Sequence, residues 1–482
     1  MKRHLTIMLL VSLLLSVFSG CGNSEPEQTE TNVPAQTVET AAETETETTY
    51  LDVLGERDFE GASYVISAAQ TGSIPAWAVE QTGEVVNDAL FDRDLLVSEK
   101  YNVVIEYPEA SGTPDTAAAI ANSVLSGDFF SDLYIDCLSN GRLYMGEAFR
   151  KGALYNLLDV PHLQLDQIWW SQLLYDNLQY NGKMFFTSGD LATASYIAPA
   201  CVYMNAAVAE DNNIDVSEVY KLVYDGAWTI DEMMKRTAGL KRDLNGDGVI
   251  SSVDDVYGVI HATVELTSTE ICVGAGIRYS EVDENGNLVV NLNTEEVINT
   301  LEKLKQFCEV KATDDWSVFP ETFKTDRALF CIHFVQLAVE FREMESDFLI
   351  LPMAKSSVEQ ESYMSYTNPY THSYIAIPLI QPDIDRTGFI TEALEYLSVE
   401  MVRPTIYDQT LKNKVSRDSD SAAMLDIIFD TTYVDFNTLN MFGGSPTVMN
   451  NALFADGDFV SEYKTIEQVI NKEIEEYVTF FN

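Results

Sequence analysis

Histidine and basic side chains are scarce in this chain of 482 residues, and their scarcity narrows its chemistry before any motif is read. Beyond the N-terminal segment the histidines are His162, His261, His333 and His372, none at the HExxH or HxH spacing that a helical zinc site needs. The chain lacks a GxSxG elbow, a P-loop and a GxGxxG turn, so the common hydrolase, nucleotide and dinucleotide sites are not expected, nor is an organic cofactor. Lysine and arginine total 29 against 76 acidic residues, a formal charge of −47. That excess argues against nucleic acid and against direct adsorption to anionic lipid, and serves solubility. After Cys21 the cysteines are Cys137, Cys201, Cys272, Cys308 and Cys331, an odd and widely spaced set that predicts buried free thiols rather than a disulfide framework. After residue 20 no apolar run approaches the roughly 18 residues of a membrane-spanning helix.

What is present begins with an address. Met1, Lys2 and Arg3 precede an apolar run from Leu5 to Phe18, and Ser19, Gly20 and Cys21 follow. The run is shorter than the ~20 residues that span a bilayer, which marks an export signal. The ending resembles a bacterial lipobox, with Phe18 where leucine is usual. That resemblance implies cleavage after residue 20, acylation of Cys21, and a bacterial lipoprotein anchored to the membrane by lipid only. Residues 22–49 carry glutamates at 25, 27, 30, 39, 43, 45 and 47 and no basic residue. Such a segment cannot bury enough apolar surface to offset its ordering entropy, so it is expected to form a disordered tether over residues 21–49.

The remaining body, from about Tyr50 to Asn482, exceeds one ordinary core and predicts two lobes. Strands are expected at 62–66, 103–107 and 132–135, with helices at 86–100 and 116–125 between them. This β-α-β-α-β alternation predicts an α/β fold with mainly parallel sheets. Thr229-Ile230-Asp231-Glu232 fits a capping box. Val297, Ile298, Leu301, Leu304 and Phe307 trace one helical face, and Tyr463, Ile466, Val469, Ile470, Ile474 and Tyr477 trace another.

Several short stretches, in order, resemble the carbohydrate-type extracellular solute-binding proteins of ABC importers, the group that includes maltose-binding protein. Asn181-Gly182-Lys183-Met184-Phe185-Phe186 and Cys201-Val202-Tyr203-Met204-Asn205 are similar to two strands of that family, and Ala227 to Glu232 to a helix start. Phe323 to Leu329 resembles a further motif with Asp326 in place of its glycine, and Phe348-Leu349-Ile350-Leu351-Pro352 a strand after it. The resemblance covers roughly residues 56–400. It implies a two-lobed periplasmic-binding-protein-like fold of the class II type with a ligand cleft between lobes, no catalysis, and a monomer that serves ABC permease subunits. The boundaries it implies are lobe 1 at 50–190 and 374–423, and lobe 2 at 191–373 and 424–482.

Sugars present hydroxyl groups around apolar C–H faces, so their sites pair acids and amides with flat aromatic rings. Groups of that kind near the expected cleft are Gln70, Trp77, Asp136, Trp169, Trp170, Asp190, Asn368 and Tyr370. Neighbouring side chains of an extended segment face opposite ways, so one ring of the Trp169-Trp170 pair is expected to pack inward while the other meets ligand. Trp228, at the helix start, is expected to pack.

One motif points to a metal. Residues 243–254 place Asp243, Asn245, Asp247, Ser251 and Asp254 at loop positions 1, 3, 5, 9 and 12, with Gly248 at 6 and the Val249 carbonyl at 7, the oxygen-rich pattern that binds Ca²⁺. The aspartate at position 12 resembles the loop of cellulosomal dockerins. A structural Ca²⁺ is expected there. Two other functions stay open: a surface glycoside hydrolase, since an acidic chain offers many carboxylate pairs, and a calcium-dependent adhesion or scaffold module.

Overall fold

A computed structural model describes residues 49–108, 114–139, 142–248, 254–308, 319–411 and 419–482. The export signal, Cys21, the tether up to residue 48, and Val249 and Ser251 of the calcium-type loop lie outside these residues. Thr49–Asn482 forms one compact unit.

Two sheets carry the fold. Their strands, in chain order, are β1 (Ala62–Ala68), β2 (Val103–Glu106), β3 (Leu133–Ser139), β4 (Arg142–Leu143), β5 (Ala200–Asn205), β6 (Tyr257–Ile260), β7 (Ala328–Phe334), β8 (Phe348–Leu351) and β9 (Ser373–Ala376). The first sheet runs β9-β3-β1-β2, with β4 paired to β3, and the second β8-β5-β7-β6. The expected alternation is present in the first: β1 lies parallel to β2 and β3, and the connections are α1 (Val85–Tyr101) and α2 (Pro114–Ser126). The fold is mixed α/β, as the sequence pattern implies, but the sheets are mixed rather than mainly parallel: in the first, two pairings are parallel and two, those of β9 and β4 with β3, are antiparallel. In the second, β5 is antiparallel to both β7 and β8, and only β6 with β7 is parallel. β5 arrives from the first sheet and so runs against the strands on either side of it. β9 makes the reverse crossing and is antiparallel to β3, with Tyr374 opposite Asp136.

Local sequence explains several joints. Tyr180 and Lys183 bridge across Asn181 and Gly182, both with positive φ (51° and 70°), the Asn-Gly hairpin turn that a right-twisted ribbon requires. Asn205 ends β5 by accepting the Val208 amide at 2.9 Å, capping the helix that follows. Asp326, where the resembled family has glycine, sits at φ 57°. Its carboxylate accepts from Asn205 Nδ2 and Ser346 Oγ, both at 2.7 Å, which offsets the strain of a left-handed residue. Thr229 caps α3 (Ile230–Thr237) through the Glu232 amide, while the Glu232 side chain pairs with Arg236. Trp228 is wholly buried and donates to the Pro352 carbonyl at 3.0 Å, the packing role expected of it.

The C-terminal half adds α4 (Glu295–Cys308), α5 (Ile384–Leu397), α6 (Arg403–Leu411), α7 (Ser419–Asp430) and α8 (Phe459–Val478). Leu301, Leu304 and Phe307 bury the expected face of α4, and Tyr463, Ile470, Ile474 and Tyr477 that of α8, but Val469 points outward and is 46% exposed. Tyr477 and Phe481 close on Phe149, with ring centroids 5.5 and 5.1 Å away, so the chain terminus packs against a helix beside the first sheet. The five described cysteines are buried and free. Among the described residues no helix is long and apolar enough to cross a membrane.

Candidate functional site

The chain crosses between the sheets on neighbouring paths. Thr187 on the first crossing pairs with Ile375 on the second, and Pro199 pairs with Thr367. Beside these crossings lies a cavity of about 230 Å³, just below the 300–1,000 Å³ common for small-molecule sites. Its walls come from 168–173, from the first crossing (188–190 and 195–196), from His372 on the second, from α6, and from the end of α7.

Trp169, Trp170 and Asp190 meet in this wall. Both indoles are largely buried, at 6% and 3% exposure, and both N–H groups donate to Glu392 of α5, one to each oxygen, at 3.0 Å. The chain turns at Trp169 rather than running extended, so the two adjacent indoles reach one shared acceptor, and the Trp169 ring packs between Tyr50 and Tyr396, with centroids 4.6 and 5.5 Å away. The Tyr50 hydroxyl and the Gln164 amide complete four donors on that carboxylate. Burial raises the Glu392 pKa, and these donors pull it back. One turn further on, Glu395 accepts the Leu191 amide at 2.9 Å, and burial pushes its carboxyl well up. A Cβ on Gly189 would lie 2.4 Å from Glu395 Oε2, so any larger residue there displaces the Glu395 carboxylate.

Asp190 is held by Arg403, whose Nη2 reaches its two oxygens at 2.8 and 2.6 Å, and by the Tyr196 hydroxyl, which also accepts from Arg403 Nε at 2.9 Å. Burial raises the Asp190 carboxyl to about 6 against the pull of Arg403. Arg403 follows a π-helical stretch, Ser398–Val402, that continues α5 into α6. Such a stretch shifts the helical register and is frequent at functional sites. Tyr196, Tyr407 and Phe429 add aromatic surface, with the Tyr196 and Phe429 rings 5.4 Å apart and nearly perpendicular.

The other five sequence candidates stand outside the cavity lining. The Gln70 amide is occupied within its own loop by Gly72, Ile74 and Ala76. Trp77 stacks on Tyr107 at 6.0 Å. Asp136 is buried beneath Tyr134, which donates to it at 2.7 Å, and burial raises its carboxyl to about 6. Asn368 braces a turn by accepting the Tyr370 amide at 2.9 Å, and Tyr370 is 44% exposed. In the calcium-type loop, Asp243 accepts the amides of Gly246 at 2.7 Å and Gly248 at 2.8 Å, both glycines having positive φ. Asn245 Nδ2 donates to Asp247, Asp254 is exposed, and buried Asp255 takes the Leu244 amide.

The fold has counterparts among solved structures. The chain is similar to an ABC substrate-binding protein of Listeria monocytogenes in complex with cycloalternan, at 13% identity over 86% of this chain and 98% of that one, with a TM-score of 0.51. It is similar to a cyclo/maltodextrin-binding protein complexed with maltotetraose, at 12% identity, 87% and 98% coverage and a TM-score of 0.57. UgpB from Mycobacterium tuberculosis in complex with glycerophosphocholine gives 14% identity, 84% and 100% coverage and a TM-score of 0.51. The fold is that of the ABC substrate-binding proteins.

No family model matches the chain, and no curated protein matches it in sequence. At these identities the likeness to substrate-binding proteins is one of fold, and the site must be read from its own residues. Sequence reasoning missed Glu392, Tyr196, Arg403 and His372. The available signal was weak: an acid five residues before the Leu397-Ser398 step of an apolar helix, and an arginine five residues after that step.

Proposed function

We propose that this chain is the solute-binding receptor of an ABC importer, capturing a sugar or oligosaccharide and delivering it to permease subunits, tethered to the membrane through acylated Cys21. The observation that carries this reading is the cavity beside the crossings, where Trp169, Trp170, Tyr196, Tyr407 and Phe429 stand among Asp190, Arg403 and Ser188. Flat rings suit sugar C–H faces, and the polar groups suit hydroxyls. In this reading the sheets belong to two lobes that close on solute by bending at the crossings, and closure presents both lobes to the permease. The lobe boundaries proposed are those of the sequence reading, 50–190 with 374–423 and 191–373 with 424–482. The protein acts as a monomer and performs no catalysis. Titration of the mature chain with oligosaccharides, followed by assay of the mixture for released reducing sugar, tests this: saturation at one ligand per chain without release supports it, and turnover favours the glycoside hydrolase.

The loop at 243–254 carries a second, separate proposal, a structural Ca²⁺ held by Asp243, Asn245, Asp247, the Val249 carbonyl, Ser251 and Asp254. The two-amide grip of Asp243 on Gly246 and Gly248 supports it, because it folds the first half of the loop around the carboxylate at position 1.

A further inference from the structure

We propose that the cavity selects uncharged polyhydroxyl solutes and turns away anionic ones, with His372 as the side chain that reads the solute's hydroxyl groups. This rests on the receptor reading above and narrows its class of solute.

His372 lines the cavity, is 1% exposed, and has no hydrogen-bond partner at either Nδ1 or Nε2. Its backbone amide is committed to the Asn368 carbonyl at 2.8 Å, and its ring stands against Tyr374 at 4.8 Å, so the imidazole is fixed in place. A neutral imidazole offers one donor and one acceptor. Leaving both unmade in a buried wall is costly, and such a group calls for a partner. A hydroxyl answers either nitrogen, since it donates and accepts; a phosphate or carboxylate answers only the N–H.

The charges point the same way. Among the described lining residues Arg403 is the one guanidinium or ammonium group, and its Nη2 and Nε are spent on Asp190 and Tyr196. Asp430 lies on the rim, so the lining carries one carboxylate more than it has cations. Burial holds His372 uncharged near neutral pH, its pKa lowered to about 3. An anionic solute entering here meets a net negative wall and gives up hydration to a lining whose one cation is already paired with Asp190. A neutral sugar meets rings, a waiting imidazole and polar groups.

The test is calorimetry on the mature chain at pH 7.5 with maltotetraose, cellotetraose and xylotetraose beside digalacturonate and glycerol 3-phosphate as anionic probes. The expected result is saturable binding of at least one neutral probe, at least tenfold tighter than either anion. His372→Asn is expected to weaken that neutral probe at least tenfold. Asp430→Lys, which reverses the charge on the rim, is expected to improve anion binding. An anion that binds as tightly as the neutral sugars, or a His372→Asn protein that folds and binds within twofold of the parent, overturns this inference and leaves the receptor reading standing. Failure of every probe to bind overturns both.

Discussion

Trp169 and Trp170 are adjacent in sequence, yet their indole nitrogens converge on the two oxygens of one carboxylate, that of Glu392, each at 3.0 Å. The chain turns at Trp169, which brings both side chains to the same acceptor. Glu392 thus fixes both indoles through their N–H groups.

Replacing that acceptor strands four buried or half-buried donors. Glu392→Ala is expected to cost about 3 kcal/mol or more, since each buried donor left unmade costs roughly 1–3 kcal/mol. Glu392→Gln, which keeps an acceptor of the same shape, should cost less than half as much. Urea unfolding gives both values, and tryptophan emission should shift to the red in the Ala variant as the indoles gain water.

The distance between partners explains what could and could not be read from the sequence. The strands and helices from Ala62 to Ser139 were legible because each announces itself by local periodicity. Trp169, Trp170 and Asp190 were legible as residue types suited to sugar. Glu392 and Arg403 were not, because they lie more than 200 residues from the side chains they hold. Gln70 and Asp136 look like ligand-binding groups in sequence, and only the fold shows that their polar atoms serve their own loop and Tyr134. The direction of β5 was also hidden, since strand propensity is blind to the side from which a crossing strand enters.

Acid should act through buried histidine. Burial lowers the His372 pKa from the ordinary 6.5 to about 3. The folded-state value is depressed, so the unfolded chain binds the proton more readily. The stability from keeping His372 neutral is complete above about pH 6.5 and is lost as pH falls toward 3, by about 1.4 kcal/mol per pH unit. Asp136, raised by burial to about 6, works in the opposite sense in parent and variant alike and cancels between them. His372→Asn should therefore gain on the parent protein as pH falls from 6.5 to 4.5, measured as the difference in urea unfolding free energy.

Calcium should stabilise the folded chain if the loop at 243–254 holds it. A ligand bound only by the folded state adds about 2.7 kcal/mol at a hundredfold excess over Kd. Thermal unfolding in millimolar CaCl₂ is expected to occur several degrees above that in EDTA, and Asp243→Ala should abolish the difference. Equal melting temperatures would remove calcium from the account.

The anchor has its own test. Cys21→Ser removes the thiol that acylation needs, and the protein is then expected in the soluble fraction of its cells or in the medium. A variant that stays with the membrane would contradict the lipid anchor while leaving the binding fold untouched.

The central claim is that the cavity beside the crossings holds a sugar, and the most direct measurement is calorimetric titration of the parent protein and Trp170→Ala with neutral oligosaccharides. The account predicts saturable binding at one site per chain in the parent, at least tenfold weaker in Trp170→Ala. Binding unchanged by that substitution, or no binding of any oligosaccharide, would contradict it.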